Sequence, residues 1–281
     1  MPKSYKTIVV DKQDGVTTIR FNRPEKKNAM SPGLHRDMYA ALSELEGDPE
    51  TQVLVVTGNG DAFSAGQDLK EYFYELKDDP AGEAEIRRIS HAWRHTKLYN
   101  FPRPTIAMIN GWCFGGAFTT VASCDIAIAA EEAVFGLSEI NFGNIPGGIV
   151  TKVVSDLMLP RQALYYALTG DRFDGRKAVE IGFATLSTPR AQLEETTARV
   201  ANSLKGKDAQ ALKAVKEVFK AVDIRRMSHD EAWYWLKARV EQLSNDQKAA
   251  NEKGGWIEEG IGKFMQGAYR PGLEAMPKGN S

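Results

Sequence analysis

Two largely apolar runs, each followed closely by a glycine-containing turn, place the tightest limit on how this chain folds. The first run spans residues 52–58 and the second spans residues 105–110. A short apolar run bounded by turn residues is typical of a strand buried on both faces. Helix-like segments follow both turns, so strands and helices alternate, and the pattern predicts an α/β protein.

The segment before the first run predicts a hairpin and then a helix. Two β-rich runs, residues 6–11 and 16–22, flank the dipeptide Asp14-Gly15, which is a natural hairpin turn. The apolar residues that come next recur at helical spacing. Ser31 followed by Pro32 is a typical helix start, so we expect this helix to begin there.

The remainder of the chain predicts a loop and then a change of architecture. Residues 77–84 are rich in Asp, Pro and Gly, and we expect them to form a mobile loop beside the site. From residue 191 onward the signals are almost wholly helical. We therefore predict a core domain at 1–200 and a helical region at 201–281. Such a tail cannot enclose a full core alone, which favours a homo-oligomer.

Charge and cysteine content exclude several functional classes. Lys and Arg number 36 against 37 for Asp and Glu, so the net charge of -1 predicts no nucleic-acid or membrane partner. No apolar run reaches membrane-spanning length and no signal peptide is recognisable, so we expect a cytoplasmic protein. Cys113 and Cys124 lack zinc-site spacing and are expected to be buried, reduced thiols.

Several motifs that would indicate other chemistry fail in detail. Residues 58–63 begin like a dinucleotide-binding turn, but Phe63 occupies the place of the third small residue. The turn at 111–116 lacks the Lys-Ser/Thr pair of a P-loop. His91 and His95 lie one helical turn apart without a third ligand, so they predict a solvated helix face and no metal site. No serine lies in a nucleophile elbow.

The pattern that survives is the pair of glycine turns. Residues 65–69 follow the first buried strand, and residues 111–116 follow the second. Glycine allows a ligand to approach the backbone closely, and helix amino termini favour developing negative charge. Two such turns can direct two backbone N–H groups at one point, which is how an oxyanion hole is built.

Four motifs in order resemble the enoyl-CoA hydratase (crotonase) superfamily: residues 22–29, 63–69, 110–116 and 135–146. The resemblance spans nearly the whole chain. It implies a crotonase-like spiral of repeated ββα units with an α-helical C-terminal region that assembles trimers or dimers of trimers. It also implies an acyl-CoA thioester substrate and no cofactor, because coenzyme A enters as part of the substrate.

The same resemblance implies roles for individual residues. The oxyanion donors would be the N–H groups of Gln67 and Gly116. Contacts to coenzyme A would come from two stretches, Lys26, Lys27, Asn28 and Ala29, and Ala65, Gly66, Asp68 and Leu69. Lys263 and Phe264 would supply contacts from a neighbouring subunit.

The catalytic carboxylates depart from the superfamily pattern. Members that simply hydrate enoyl-CoA carry two glutamates, and the first of these positions is Thr119 here. Thr119 cannot act as a base at neutral pH, although its hydroxyl can bind water or substrate. Glu139 remains, and the apolar residues around it predict a partly buried carboxyl with a raised pKa.

Within the superfamily the chain most resembles the hydroxycinnamoyl-CoA (feruloyl-CoA) hydratase-lyases. These convert feruloyl- or 4-coumaroyl-CoA to vanillin or 4-hydroxybenzaldehyde plus acetyl-CoA. Tyr72 matches the phenol-binding tyrosine of that group, and Tyr234, adjacent to Trp235, is the candidate for the second. An enoyl-CoA isomerase, a simple enoyl-CoA hydratase and a silent scaffold or RNA-binding relative remain as alternatives.

Overall fold

The computed structural model describes residues 4–225 and 229–250. Ten strands in this part of the chain form two sheets. The larger sheet has the order β1-β2-β3-β5-β7-β10 and the smaller has the order β4-β6-β8-β9. The strands are β1 (Ile8–Gln13), β2 (Val16–Phe21), β3 (Val53–Gly58), β4 (Ala62–Ser64), β5 (Thr105–Ile109), β6 (Trp112–Phe114), β7 (Ile126–Ala130), β8 (Val134–Gly136), β9 (Arg172–Asp174) and β10 (Leu186–Thr188).

The described residues also form nine α-helices. The α-helices are α1 (Pro32–Leu45), α2 (Pro80–His91), α3 (Ala117–Ser123), α4 (Val150–Leu157), α5 (Pro160–Thr169), α6 (Gly175–Glu180), α7 (Leu193–Lys205), α8 (Ala209–Arg225) and α9 (His229–Ala250). Two segments are π-helical, Leu69–Tyr74 and Ala92–Leu98. Short 3-10 turns occupy Pro24–Lys26, Glu139–Phe142 and Arg190–Gln192.

The chain repeats one unit three times between β3 and α4. Each repeat gives one strand to the larger sheet and the next strand to the smaller sheet, and then turns into helix. As a result β3, β5 and β7 pair in parallel, and β4, β6 and β8 do the same. This confirms the predicted α/β class and the spiral of ββα units.

Local sequence explains where the first elements begin and end. Asp14 (φ 48°) and Gly15 (φ 78°) both adopt left-handed conformations, as the tight turn of a twisted hairpin requires. Helix α1 begins at Pro32, and the Ser31 side chain accepts a hydrogen bond from the Leu34 N–H. The hairpin, this helix and the fully buried strand β3 are all confirmed.

Two local predictions are wrong. The loop predicted at 77–84 is shorter, because Asp79 caps a helix that starts at Pro80, and proline is well suited to a first helical position. The Asp-Pro-Gly composition therefore marked a helix start as well as a loop. Cys113 is buried as predicted, but Cys124 is only partly buried.

Four phenylalanines hold α3 against the smaller sheet. Phe118 of α3 lies 4.5 Å from Phe183 between ring centroids, and Phe135 of β8 stacks on Phe173 of β9 at 5.2 Å. Such aromatic contacts add about 0.5–1.5 kcal/mol per pair beyond area burial. They fix the start of α3 relative to the end of β8, and both ends belong to the site described below.

The contacts divide the chain between Leu204 and Lys205. In the second part α8 and α9 pack against each other, and Arg239 of α9 forms an ion pair with Glu217 of α8. The predicted division into 1–200 and 201–281 remains a prediction about domains. Among the described helices, none is long and apolar enough to cross a membrane.

The loop before α1 is held by a buried asparagine. Asn28 is fully buried in a left-handed conformation (φ 54°), which asparagine tolerates better than most residues. Its Nδ2 donates to the carbonyl oxygens of Asn59 (2.9 Å) and Ala62 (2.7 Å), and its Oδ1 accepts from the Arg23 N–H (2.9 Å). The Asn28 amide thus ties this loop to the turn between β3 and β4.

We expect Asn28→Ala to lower the free energy of unfolding by about 1–3 kcal/mol, because it leaves buried backbone groups without partners. Urea denaturation measures the change. The matched control is Asn100→Ala, which removes a bond at an exposed helix end and is expected to change stability by no more than about 0.5 kcal/mol. Equal effects of the two substitutions would contradict the role assigned to Asn28.

Candidate active site

The carboxyl ends of three adjacent parallel strands open into one cavity. The segment after β4 contains Gln67, the segment after β6 contains Gly116, and the segment after β8 contains Glu139. All three residues line a cavity of about 670 Å³, a size suited to a small organic group. The order of the strands therefore brings together three predicted site residues that are far apart in sequence.

The two glycine turns touch each other. A Cβ atom added to Gly66 (φ +90°) would lie 2.7 Å from the Phe114 carbonyl oxygen and 3.3 Å from the Gly116 nitrogen. One added to Gly116 would lie 3.3 Å from Gln67 Cγ. Glycine at position 66 is therefore required for the close approach, since a side chain there would push the turns apart.

The two predicted oxyanion donors form no hydrogen bond within the described part of the protein. The Met30 carbonyl oxygen accepts from the Asp68 N–H at 3.1 Å, and the Met30 N–H donates to the Gly66 carbonyl oxygen at 2.7 Å. These two hydrogen bonds hold the residues on either side of Gln67. Within the described residues, neither the Gln67 N–H nor the Gly116 N–H donates to a protein acceptor. A ligand oxygen is the acceptor that this arrangement suits.

The Gln67 side chain is held by a buried chain of hydrogen bonds. Trp93 Nε1 donates to His35 Nδ1 at 2.9 Å, and His35 Nε2 lies 2.9 Å from Gln67 Oε1. Because Nδ1 accepts, Nε2 carries the proton and donates to Gln67. Burial, assisted by the nearby Arg94 charge, lowers the pKa of His35 to about 3, so the ring is neutral. This chain fixes the turn that carries the first oxyanion donor.

Glu139 is half-buried directly after β8 and faces the second glycine turn. A Cβ on Gly115 would lie 2.9 Å from Glu139 Oε1, so glycine at position 115 leaves room for the carboxyl. Oε2 is buried and has no hydrogen-bond partner within the described residues. Burial raises the pKa of Glu139, against a smaller lowering by a backbone hydrogen bond. A carboxyl in this state suits reversible proton transfer.

Only two of the four apolar residues predicted to surround Glu139 are buried. Phe135 and Leu137, before Glu139, are fully buried as expected. Ile140 and Phe142, after it, are 40% and 67% exposed. They lie in the 3-10 turn that leaves the core, so the environment of Glu139 comes from the preceding strand and from the glycine turn.

Thr119 is buried and its hydroxyl is already engaged. Its Oγ1 donates to the Gly116 carbonyl oxygen at 2.7 Å and accepts from Arg94 Nη1 at 2.6 Å. The hydroxyl proton is therefore not available to a ligand, and Thr119 can only accept a further hydrogen bond. The Thr119 hydroxyl cannot replace a second catalytic carboxyl.

Part of the cavity wall comes from α2 and the π-helical segments. Tyr72 lines the cavity and is 7% exposed, and its ring centroid lies 5.4 Å from that of His35. His91 and His95 also line the cavity, with ring centroids 4.9 Å apart. Burial and the charge of Arg94 lower the pKa of His95 to about 3. The predicted solvated histidine face is therefore wrong for His95, which is partly buried.

Metal-binding side chains do not cluster in the part of the chain that the structure describes. Within residues 4–225 and 229–250, no group of three His, Cys, Asp or Glu side chains could hold a metal ion. The pair His91 and His95 lacks a third ligand there. Cys113 is buried, and burial raises the pKa of its thiol, which makes it a poor nucleophile.

The eight residues predicted to contact coenzyme A separate into three groups. Those lining the cavity are Ala65, Gly66 and Leu69. Those on the exposed or half-exposed turn before α1 are Lys26, Lys27 and Ala29. Those whose side chains are buried are Asn28 and Asp68.

The side chains of the buried pair make contacts within the protein, and the predicted contact of these two positions with coenzyme A remains a prediction. Asn28 is fully buried and bonded to backbone as described above, so its side chain has no exposed atom for a ligand. Asp68 caps the first π-helical segment by accepting from the N–H groups of Lys70 and Glu71, and pairs with Arg23 at 2.9 Å. Burial raises the pKa of Asp68, but these hydrogen bonds and Arg23 outweigh it and lower the pKa.

The remaining predictions fall on the helical region. Tyr234 lies in α9 and is 71% exposed, while Trp235 is partly buried. Lys263 and Phe264 lie outside the described residues. The roles predicted for Tyr234, Lys263 and Phe264 remain predictions.

Three residues of the site were not predicted from sequence. Helical spacing alone gives His35 and Trp93 no functional signal, and most arginines are surface charges, so Arg94 carries none either. Trp93 and Arg94 both lie in the π-helical segment Ala92–Leu98, and such segments are frequent at functional sites. Helical spacing in the sequence does not distinguish such a segment from a regular helix.

Comparison with known proteins agrees with this geometry. The family model for enoyl-CoA hydratase/isomerase matches residues 11–262. The chain is 44% identical over 273 residues to hydroxycinnamoyl-CoA hydratase-lyase of Pseudomonas fluorescens, covering 96% of each chain. It is 31% identical to mitochondrial enoyl-CoA hydratase of Pongo abelii, covering 72% of this chain and 68% of that one. The crystal structure of an enoyl-CoA hydratase from Bacillus anthracis superposes with a TM-score of 0.81 at 26% identity, covering 93% and 97%. The chain belongs to the enoyl-CoA hydratase/isomerase family.

Proposed function

We propose that this protein is a hydratase-lyase acting on 4-hydroxycinnamoyl-CoA thioesters such as feruloyl-CoA and 4-coumaroyl-CoA. It adds water across the double bond and then cleaves the product to acetyl-CoA and an aromatic aldehyde, vanillin or 4-hydroxybenzaldehyde. The observation that carries the proposal is that Glu139 is the one acid among the described residues lining the cavity, beside two free backbone N–H groups. The 44% identity to a hydroxycinnamoyl-CoA hydratase-lyase supports it.

Substrate binding follows from the two free donors. The thioester oxygen accepts from the N–H groups of Gln67 and Gly116, which stabilise the enolate that forms when charge moves onto this oxygen. A hydrogen-bond donor in such a position typically contributes on the order of 3 kcal/mol to transition-state stabilisation. Coenzyme A enters as part of the substrate, and the reaction needs no separate cofactor.

A single carboxylate suffices for the hydration step. Glu139 takes a proton from water while the water oxygen bonds to Cβ and the double-bond electrons move onto the thioester oxygen. The Glu139 carboxyl then returns this proton to Cα. Glu139 ends the step ionised, as it began.

The same carboxylate then serves the cleavage step. Glu139 takes the proton of the β-hydroxyl, the Cα–Cβ bond breaks, and its electron pair becomes the enolate of acetyl-CoA at the two N–H groups. The former β-carbon leaves as the aldehyde carbon. The proton on Glu139 passes to the enolate Cα, which completes acetyl-CoA and resets the carboxylate.

A simple assay of the reaction products separates this proposal from its alternatives. Purified protein with feruloyl-CoA should release aldehyde and acetyl-CoA in equal amounts. A hydratase would stop at the β-hydroxyacyl-CoA, an isomerase would move the double bond of a suitable aliphatic substrate, and a silent scaffold would leave acyl-CoA unchanged. We further propose that the protein is cytoplasmic and that it forms a trimer or a dimer of trimers. Light scattering of the purified chain would test the number of subunits.

Glu139→Gln should lower the rate of aldehyde release by at least about 100-fold, the lower range for a lost general acid–base. Substrate affinity and fold should be retained, because glutamine has nearly the same shape. The matched control is Glu195→Gln, an exposed change on α7 that should leave the rate unaltered. Full activity in Glu139→Gln would rule out the assigned role.

The pH profile should carry the signature of a buried carboxyl. Glu139 must be ionised to accept a proton, so kcat/KM should fall as pH falls through its raised pKa, above the ordinary glutamate value of about 4.3. His35 and His95, each with a pKa of about 3, do not titrate in that range. An acid limb at or below the ordinary glutamate value would contradict this assignment.

Gln67→Ala keeps the backbone donor but cuts the chain of bonds from Trp93 and His35. Because small displacements of reacting groups are costly, we expect kcat to fall between about 10- and 100-fold with little change in KM. The control Gln192→Ala changes an exposed residue outside the cavity. If Gln67→Ala matched the control, the buried chain would have no part in positioning the donor.

A further inference from the structure

Arg94 is a buried cation that contacts the second glycine turn. It lies in the cavity wall and is 7% exposed. Its Nη1 donates to the Gly116 carbonyl oxygen at 3.1 Å and to Thr119 Oγ1 at 2.6 Å. Its Nε donates to the Ser90 carbonyl oxygen at 3.1 Å, and its Nη2 donates to the Ser90 hydroxyl. The guanidinium thus joins the last turn of α2 to the start of α3.

All of these acceptors are neutral, so the charge of Arg94 is not balanced. Burial lowers the pKa of Arg94 to about 10, against an opposing influence of Tyr72, and Arg94 therefore remains a cation at neutral pH. No carboxylate of the described residues is among the groups that shift this pKa. A buried cation without a counter-charge is destabilising. The presence of Arg94 in the cavity wall therefore indicates a function that needs a positive charge there.

The second glycine turn depends on hydrogen bonds from outside it. Gly115 (φ +49°) and Gly116 are consecutive glycines, and glycine has more backbone freedom than any other residue. The Gly115 N–H donates to the Gly136 carbonyl oxygen at 3.1 Å, which holds the start of the turn to β8. Arg94 and Thr119 both donate to the Gly116 carbonyl oxygen and hold the end of the turn. The Gly116 N–H lies between these two points, so its direction depends on both.

The sequence neighbour of Arg94 supports the first glycine turn. Trp93 donates to His35, and the His35 ring bonds in turn to Gln67. The guanidinium carbon of Arg94 lies 5.7 Å from the centroid of the Trp93 ring, within the range of a cation–π contact. Both residues belong to the π-helical segment Ala92–Leu98. Two consecutive residues of one segment therefore connect to the two turns that carry the predicted oxyanion donors.

The sign of the charge on Arg94 suits an enolate intermediate. One residue, Gly116, separates the guanidinium from the oxygen that the Gly116 N–H would bind. Negative charge accumulates on that oxygen as the enolate forms. In a poorly solvated cavity, a fixed positive charge stabilises an enolate much more than the neutral thioester. A cation at this position therefore favours the transition state over the bound substrate, as catalysis requires.

We propose that Arg94 is a positioning residue for the second oxyanion donor, and that the π-helical segment Ala92–Leu98 sets the spacing of both donors through Trp93 and Arg94. Arg94 acts through Gly116 and does not touch the reacting atoms. Its hydrogen bonds fix the second glycine turn, and its charge lies near the enolate oxygen. The inference rests on the oxyanion role within the proposed function and does not depend on the cleavage step.

The test is the infrared stretching frequency of the bound thioester carbonyl, which falls as hydrogen bonds and charge polarise that carbonyl. The probe is cinnamoyl-CoA with a heavy carbon isotope at the thioester carbonyl, and it lacks a ring hydroxyl. Glu139→Gln protein prevents hydration of the probe. We expect binding to lower the frequency relative to the free probe, and Arg94→Met in this background to remove most of that lowering. An equal lowering in the two proteins would overturn the proposal.

Two further variants in the Glu139→Gln background sharpen the comparison. Arg94→Lys keeps the charge but loses the planar fork that bonds Gly116 and Ser90 together, so we expect an intermediate frequency. The matched control Arg199→Met removes an exposed arginine of α7 and should leave the frequency unchanged. Circular dichroism checks that each variant is folded. If Arg94→Met does not fold, an Arg94→Lys frequency equal to that of the Glu139→Gln protein would overturn the proposal.

Steady-state kinetics of protein that retains Glu139 separate positioning from substrate binding. Arg94→Met should lower kcat for aldehyde release from feruloyl-CoA at least about 10-fold, because a small displacement of the donor is costly, while KM changes little. Arg199→Met should leave both constants unaltered. A larger effect of Arg94→Met on KM than on kcat would indicate a direct contact with substrate and overturn the positioning role.

Failure of this inference is distinguishable from failure of the proposed function. Aldehyde release together with a carbonyl frequency that does not depend on Arg94 would remove the positioning role and leave the lyase. A frequency that depends on Arg94, without aldehyde release, would remove the lyase and leave the positioning role. If cinnamoyl-CoA binds and its carbonyl frequency is not lowered at all, the oxyanion role of the two turns is wrong, and both proposals fail with it.

Discussion

The parallel pairing of β4, β6 and β8 is the constraint on which the rest of the site depends. Parallel strands end at the same edge of a sheet, so the residues that follow them become neighbours. Here those residues are Gln67, Gly116 and Glu139. The strands are only three residues long, so the larger sheet and the phenylalanine cluster around Phe118 must hold them in register. The chemistry therefore depends on packing some distance away from it.

Much of this arrangement could be predicted from sequence because it is local. The hairpin turn at Asp14-Gly15, the start of α1 at Ser31-Pro32 and the buried strand β3 each follow from the residues that form them. The glycine turns were recognisable for the same reason. The loop at 77–84 was predicted too long because Asp79 and Pro80, both typical of loops, are also typical of a helix start.

The contacts that were missed are those between segments far apart in sequence. The bond from Trp93 to His35 joins residues 58 positions apart, and the bond from Arg94 to Thr119 joins residues 25 apart. A single sequence contains no record of which polar side chains meet across the core. Asn28 is a further example, since its place in a motif gave no sign that its side-chain amide binds the backbone of the turn between β3 and β4.

Separation of opposite charges gives the cavity its chemical character. Glu139 and Arg94 approach the second glycine turn from different sides, one facing Gly115 and the other bonded to the Gly116 carbonyl. If they formed an ion pair, the charge of Arg94 would lower the pKa of Glu139 and leave a weaker base. Because Arg94 is bonded to neutral acceptors and is not paired with Glu139, burial keeps the pKa of Glu139 raised, and the carboxyl suits proton transfer.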